Sequence, residues 1–155
     1  MRILKSYNQI FERNLSDDEY DFLVDLISGD ELTEVERIIK KTKIDLNKPY
    51  YDDYILISNS TSLDMVKLLV KYGADPFLMN YKGDDLAYFL ANNYSFNETK
   101  DMLAIFIYLT ELGLDWNKTL SAIPENIKGL NILFEKFPEK YKQYQKNQKS
   151  KEFNL

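Results

Sequence analysis

The stretch Ser62-Leu63-Asp64-Met65-Val66-Lys67-Leu68-Leu69-Val70-Lys71-Tyr72-Gly73-Ala74-Asp75 decides how this chain folds. Met65, Leu68 and Leu69 fall at helical spacing and so share one face. Gly73 stands where a helix stops in a left-handed residue, a conformation glycine adopts without steric cost, and Lys71 complements the negative end of the helix dipole. The same pattern recurs when the chain is slid along itself. At −30 lie Val35, Ile38 and Ile39, followed by Lys40, Lys41 and Asp45; at +40 lie Ile105, Tyr108 and Leu109, followed by Gly113-Leu114-Asp115. Lys43 replaces the glycine in the earliest copy. A helix that ends in an Asp-closed turn, met three times, is the signature of a repeat architecture.

Upstream of each copy lies a second apolar stretch: Phe22-Leu23-Val24-Asp25-Leu26-Ile27, Tyr54-Ile55-Leu56-Ile57 and Leu86-Ala87-Tyr88-Phe89-Leu90. Acidic residues precede each one, Asp18-Glu19, Asp52-Asp53 and Asp84-Asp85. A carboxylate at a helix start accepts the free backbone N–H groups there and meets the positive dipole end, and Ser16-Asp17-Asp18-Glu19 fits a capping box. Each unit therefore reads as helix, turn, helix, loop over about 33 residues. The third is lengthened by Asn92 to Asn97, with Asn97 placed to cap the next helix.

Residues 62–75 closely resemble the second helix and Gly-Ala-Asp turn of the ankyrin repeat, and Asn80-Tyr81-Lys82-Gly83-Asp84-Asp85-Leu86 resembles the loop that enters the first helix of that family. The family's Thr-Pro-Leu-His motif is absent, and Asp takes the cap position of Thr. Hydrogen bonds from histidine between neighbouring loops therefore cannot form, which predicts individually shaped loops. The resemblance implies an all-α, ankyrin-type helical repeat solenoid in a single domain over residues 1–145. Its repeats are 16–47, 48–79 and 80–118, with helical caps at 1–15 and 119–145. Ile127, Leu130, Ile132, Leu133, Phe134 and Phe137 supply one cap with an apolar stripe, Pro138 is placed to start another helix, and residues 146–155 read as a frayed, Lys-rich tail.

Composition narrows the function. The 155 residues are 45% apolar and 29% charged, with neither His nor Cys. A disulfide framework, a thiolate zinc site, a cysteine nucleophile, a Ser-His-Asp triad and a His-ligated metal are thereby excluded. The formal charge is −5. It is uneven: residues 135–155 carry six Lys against three Glu, leaving 14 basic against 22 acidic residues, or −8, on 1–134. An acidic body with a basic tail steers basic partners toward the body and disfavours nucleic acid and anionic membrane. Lys140 to Lys151 interleaves lysines with Tyr141 and Tyr144, a pattern that can suit single-stranded nucleic acid, although the charge of the body opposes it. The N-terminal residues hold no apolar run of signal-peptide length, and Met102 to Leu109 is far short of the roughly 20 residues of a membrane span, so a cytoplasmic protein is expected.

The paired carboxylates Asp52/Asp53 and Asp84/Asp85 have the chemistry of a general acid and base or of hard-cation ligands. Their recurrence at repeat spacing fits helix capping better, so no catalytic residue, metal or cofactor is assigned. Tyr50, Tyr51 and Tyr54 flank the first pair, and Tyr81 and Tyr88 the second. In the ankyrin geometry that the resemblance implies, these loops and first helices line the concave binding face. Tyrosine suits such a face because it brings large contact area and a polar handle at low entropy cost. Trp116, in the loop leaving the third repeat, is open to either a core or an interface role. The expectation is a non-enzymatic module that binds another protein, a basic one, on an acidic, Tyr-rich face formed by Tyr50, Tyr51, Asp52, Asp53, Tyr54, Tyr81, Asp84, Asp85, Tyr88 and Trp116. An immunity or antitoxin protein that masks a basic toxin domain is the specific case. A host-directed effector or scaffold is the alternative, and a carboxylate-based hydrolase the remote one.

Overall fold

The computed structural model describes residues 15–42, 44–49, 55–92, 100–122 and 130–153. These form eight α-helices and one short 3-10 helix, with no strand among the described residues. In chain order they are α1 (Asp17–Ser28), α2 (Leu32–Lys41), the 3-10 turn Leu56–Asn59, α3 (Leu63–Lys71), α4 (Leu86–Asn92), α5 (Lys100–Leu112), α6 (Trp116–Ala122), α7 (Leu130–Lys136) and α8 (Pro138–Phe153).

Packing arranges them in two rows. α1 packs on the 3-10 turn, the turn on α4, α4 on α6 and α6 on α8; alongside, α2 packs on α3, α3 on α5 and α5 on α7. Rungs between α1 and α2, α4 and α5, and α7 and α8 join the rows. The core runs along the seam, where the helical stripes meet: Leu23 and Ile27, Val35, Met65 and Leu69, Leu86, and Ile105 and Leu109 are all shut off from solvent. Each such side chain contributes roughly 1.5–3 kcal/mol relative to an exposed position.

The ends of α3 and α5 are built alike. Gly73 has φ +97° and Gly113 φ +111°. After each glycine the chain turns back, so that Ala74 N–H donates to Leu69 O at 3.0 Å and Leu114 N–H to Leu109 O at 2.9 Å. The helix α1 ends in the same way with an aspartate as the left-handed residue: after Gly29, which stays right-handed, Asp30 takes φ 59° and Glu31 N–H donates to Leu26 O at 2.9 Å. Asp tolerates that conformation better than most side chains, and the Ser62 hydroxyl, which also caps α3 by accepting from Met65 N–H at 3.0 Å, donates to the Asp30 carboxylate.

Beyond the helix ends the loops are more regular than the missing histidine suggests. In all three copies the closing aspartate accepts a backbone N–H two residues on: Asn47 onto Asp45 at 3.0 Å, Phe77 onto Asp75 at 2.9 Å and Asn117 onto Asp115 at 2.9 Å. Asn47 also bridges to the next turn, donating to Gly73 O at 2.9 Å and accepting from Asp75 N–H at 2.7 Å. Asparagine can both donate and accept through one side chain, and here it supplies the contact between neighbouring loops that histidine cannot.

Four expectations change. The stretch 54–57 gives a 3-10 turn over Leu56–Asn59, because the apolar run is short and Asn59 turns its amide back onto Ile55 O and Leu56 O, each at 3.3 Å. Trp116 opens α6 rather than sitting in a loop, so a further helix starts inside the segment assigned to the end of the third repeat. Ile132 is 52% exposed and is not part of the cap's buried stripe, which Leu133 and the half-buried Phe134 and Phe137 supply. The tail is helical as far as Phe153, starting from Pro138 as expected; Tyr141 stacks on Phe134 with ring centroids 4.1 Å apart, and Asn147 donates to Asn117 Oδ1 at 2.9 Å. The cap at residues 1–14, Lys43, Asn93–Asn97 and Ile127 lie outside the described residues.

One polar cluster ties α2 to α3. The Glu36 carboxylate accepts from the Tyr72 hydroxyl at 2.7 Å and lies 3.1 Å from Lys71 Nζ and 3.2 Å from Lys40 Nζ. The Tyr72 hydrogen bond, then those of Lys71 and Lys40, hold its pKa down to about 2 from the usual 4.5. A depressed carboxylate stabilises the fold above its unfolded pKa and loses that contribution as the pH falls toward the folded value. Melting temperature followed from pH 5 down to pH 2 is therefore expected to fall less steeply for Glu36→Gln than for the parent chain, about 4.5 to 2 being the window in which only the parent takes up this proton.

Candidate functional site

Of the expected site residues, Tyr50, Tyr51, Asp52, Asp53 and Tyr54 lie outside the described residues. The other five are placed by α4, by the loop that enters it, and by α6.

The loop between α3 and α4 is held by its own polar groups. Asn80 Oδ1 accepts from both Lys82 N–H and Asp84 N–H at 2.9 Å, Asn80 N–H donates to Asp84 O at 3.0 Å, and Gly83 N–H donates to Asn80 O at 2.9 Å. Gly83 has φ +85°, which the turn requires. The carboxylate of Asp84 lies against the Asn80 amide, 3.4 Å away, and is half-buried. Asp85 is the cap: its carboxylate accepts from Tyr88 N–H at 2.9 Å, and it is only 7% exposed. The pair therefore divides, one carboxylate closing the loop and the other starting the helix. Asp85 is thus buried and Asp84 half-buried, each engaged within the loop and helix start.

On this closed loop the apolar groups face outward. Tyr81 is 68% exposed and Met79 48% exposed. The Lys82 ammonium lies over the Tyr81 ring, 5.4 Å from its centroid, and Lys118 of α6 reaches the Met79 sulfur. Tyr88, on α4, is half-buried. Met79 was missing from the expected set; its exposure has no signature in the sequence, where a methionine next to a polar loop reads as core.

Trp116 takes a core position. It is 4% exposed, its indole N–H donates to Thr110 Oγ1 at 3.0 Å, and its ring meets Phe134 at 5.8 Å and Phe137 edge-on at 6.2 Å. A groove of about 310 Å³ opens beside it, between the turn 113–117 and Lys140, Gln143 and Tyr144 of α8.

Exposed acidic charge collects instead on α1, where Asp17, Asp18, Asp21 and Asp25 face solvent opposite the buried Tyr20, Leu23 and Ile27. Asp18, Asp21 and Asp25 are spaced three and four residues apart, which puts them on one helical face. Among the described residues, no three acidic side chains gather into a set that could hold a metal ion, and no helix is long and apolar enough to cross a membrane. Neither a family model nor a curated protein sequence matches this chain.

Proposed function

We propose that the chain is an ankyrin-type helical repeat solenoid that works by non-enzymatic binding of another protein, with the loop Met79–Asp84 as an anchor. The single observation that carries this reading is a tyrosine two-thirds exposed beside an exposed methionine on a loop fixed by four hydrogen bonds from backbone N–H groups, two to the Asn80 side chain and two to backbone carbonyls. Large apolar groups on a mobile loop would lose conformational freedom on binding; on a loop already ordered, most of that loss has been met in folding. Tyr and Met are also the side chains favoured at the centres of interfaces.

The partner is proposed to be basic. The charge of −8 on residues 1–134 attracts it from a distance, and fast capture is what an immunity or antitoxin protein acting on a basic toxin domain in the cytoplasm requires. The ankyrin assignment is supported by the two rows of helices, by the glycine-ended helices α3 and α5 and by the recurring aspartate turns.

The test is capture from a lysate of the source cell on the immobilised chain, read by mass spectrometry, with the double variant Met79→Ala/Tyr81→Ala alongside. A basic protein held by the parent chain and released by salt is expected, its affinity for the variant falling by about 2 kcal/mol, or roughly thirtyfold. The melting temperature should be unchanged, since both side chains are exposed. Equal capture by the two chains would remove the loop from the function.

A further inference from the structure

We propose that this chain associates with a second copy of itself, the outward face of α8 docking on the outward face of α1 in antiparallel register. The helix α8 is turned inward through Tyr141, Tyr144, Asn147 and Gln148, all half-buried. Its opposite face carries Lys142, Lys146 and Lys149, all exposed. Lys142 holds Glu139 at 2.8 Å within the helix, and among the described residues Lys146 and Lys149 form no ion pair. This face is too polar to be covered by an apolar partner, so an occupant complementary to it is anionic.

The same molecule offers carboxylates at the other end of the row. Asp18, Asp21 and Asp25 are exposed on α1, and among the described residues they form no ion pair. Within one molecule the two faces cannot meet. The 3-10 turn, α4 and α6 stand between α1 and α8, and at 8–10 Å per packed neighbour this separates them by about 30–40 Å. The pairing is therefore between copies.

Spacing selects the direction. The acids step by three and then four residues, and the lysines, read backward from Lys149, step by three and then four. Antiparallel helices thus place Asp18 against Lys149, Asp21 against Lys146 and Asp25 against Lys142 together. A parallel arrangement leaves the central pair one residue, or about 1.5 Å, out of step. Exposed ion pairs are individually weak and are screened by salt, so the association is weak and ionic-strength dependent. It is heterologous, leaving one free α1 and one free α8 on each pair unless a ring or a reciprocal dimer closes them.

Sedimentation velocity of the full chain over a concentration series, at ionic strengths of about 0.02 M and about 0.5 M, tests this. The average mass is expected to rise with concentration at low salt, and association should weaken at least about tenfold at high salt. The triple variants Asp18→Lys/Asp21→Lys/Asp25→Lys and Lys142→Glu/Lys146→Glu/Lys149→Glu should each stay monomeric, while their equimolar mixture associates, because only the mixture restores opposite charges across the contact. Circular dichroism checks that each is folded, and the milder Lys142→Gln/Lys146→Gln/Lys149→Gln should also lose association. A parent chain that is monomeric at every concentration in low salt, or a mixture that stays monomeric, overturns the proposal. Tyr81→Ala should self-associate like the parent, which separates this contact from the anchoring loop.

Discussion

Trp116→Ala is expected to lower the stability by about 3–5 kcal/mol, one of the largest losses available to a single substitution in this chain. The indole closes the junction where α5 ends and α6 begins, and it is covered by Phe134 of α7 and by Phe137. Removing it opens a cavity among rings that cannot collapse without moving α7, and it leaves Thr110 Oγ1, itself buried, without its donor. Trp116→Phe separates the two effects. It keeps most of the apolar volume and loses the hydrogen bond, for about 1–2 kcal/mol. Chemical unfolding followed by circular dichroism measures both, since Trp116 is the only tryptophan and its fluorescence disappears with it. Parent-like stability of Trp116→Ala, combined with loss of a captured partner, would return this residue to the interface.

Leu69→Ala and Leu109→Ala are expected to cost about 2–5 kcal/mol each, and to cost nearly the same. Both side chains are wholly buried, both lie four residues before the left-handed glycine, and the carbonyl of each accepts the N–H that follows that glycine. Ile39 holds the same place in the first copy, where Lys43 replaces glycine; it is 8% exposed and its truncation should cost less than either leucine. Thermal and urea unfolding of the three variants checks the order. A larger loss at Ile39 than at Leu69 and Leu109 would contradict the alignment of the three copies.

Much of the scaffold was legible before any coordinates. Met65, Leu68 and Leu69, then Gly73, then Asp75 announce a helix, its end and a turn, because each signal depends on residues only a few positions apart. Ser16 and Glu19 do the same for the start of α1, where the Glu19 carboxylate accepts from Ser16 N–H at 2.8 Å. The candidate site was less legible. Asp84 and Asp85 are adjacent and chemically identical, yet one closes a loop against Asn80 and the other caps α4. Nothing in their types separates them; the fold of the loop does. Tyr81 and Trp116 both read as aromatic candidates, and the first is two-thirds exposed while the second is sealed.

What the sequence by itself determined is therefore the local grammar: helical stripes, glycine and aspartate stops, repeat spacing, an acidic body with a basic end, and the absence of imidazole and thiol chemistry. Only the tertiary structure decided which aromatics are buried, that Asn47 joins two loops, that Ile132 lies outside the core and that the lysine face of α8 is turned away from it. The physical reason is range. Periodicity, caps and turns are set by torsions and hydrogen bonds within about one helical turn of chain, whereas exposure is set by neighbours that arrive from 20 to 40 residues away, and those neighbours are the stacking of one helix pair on the next.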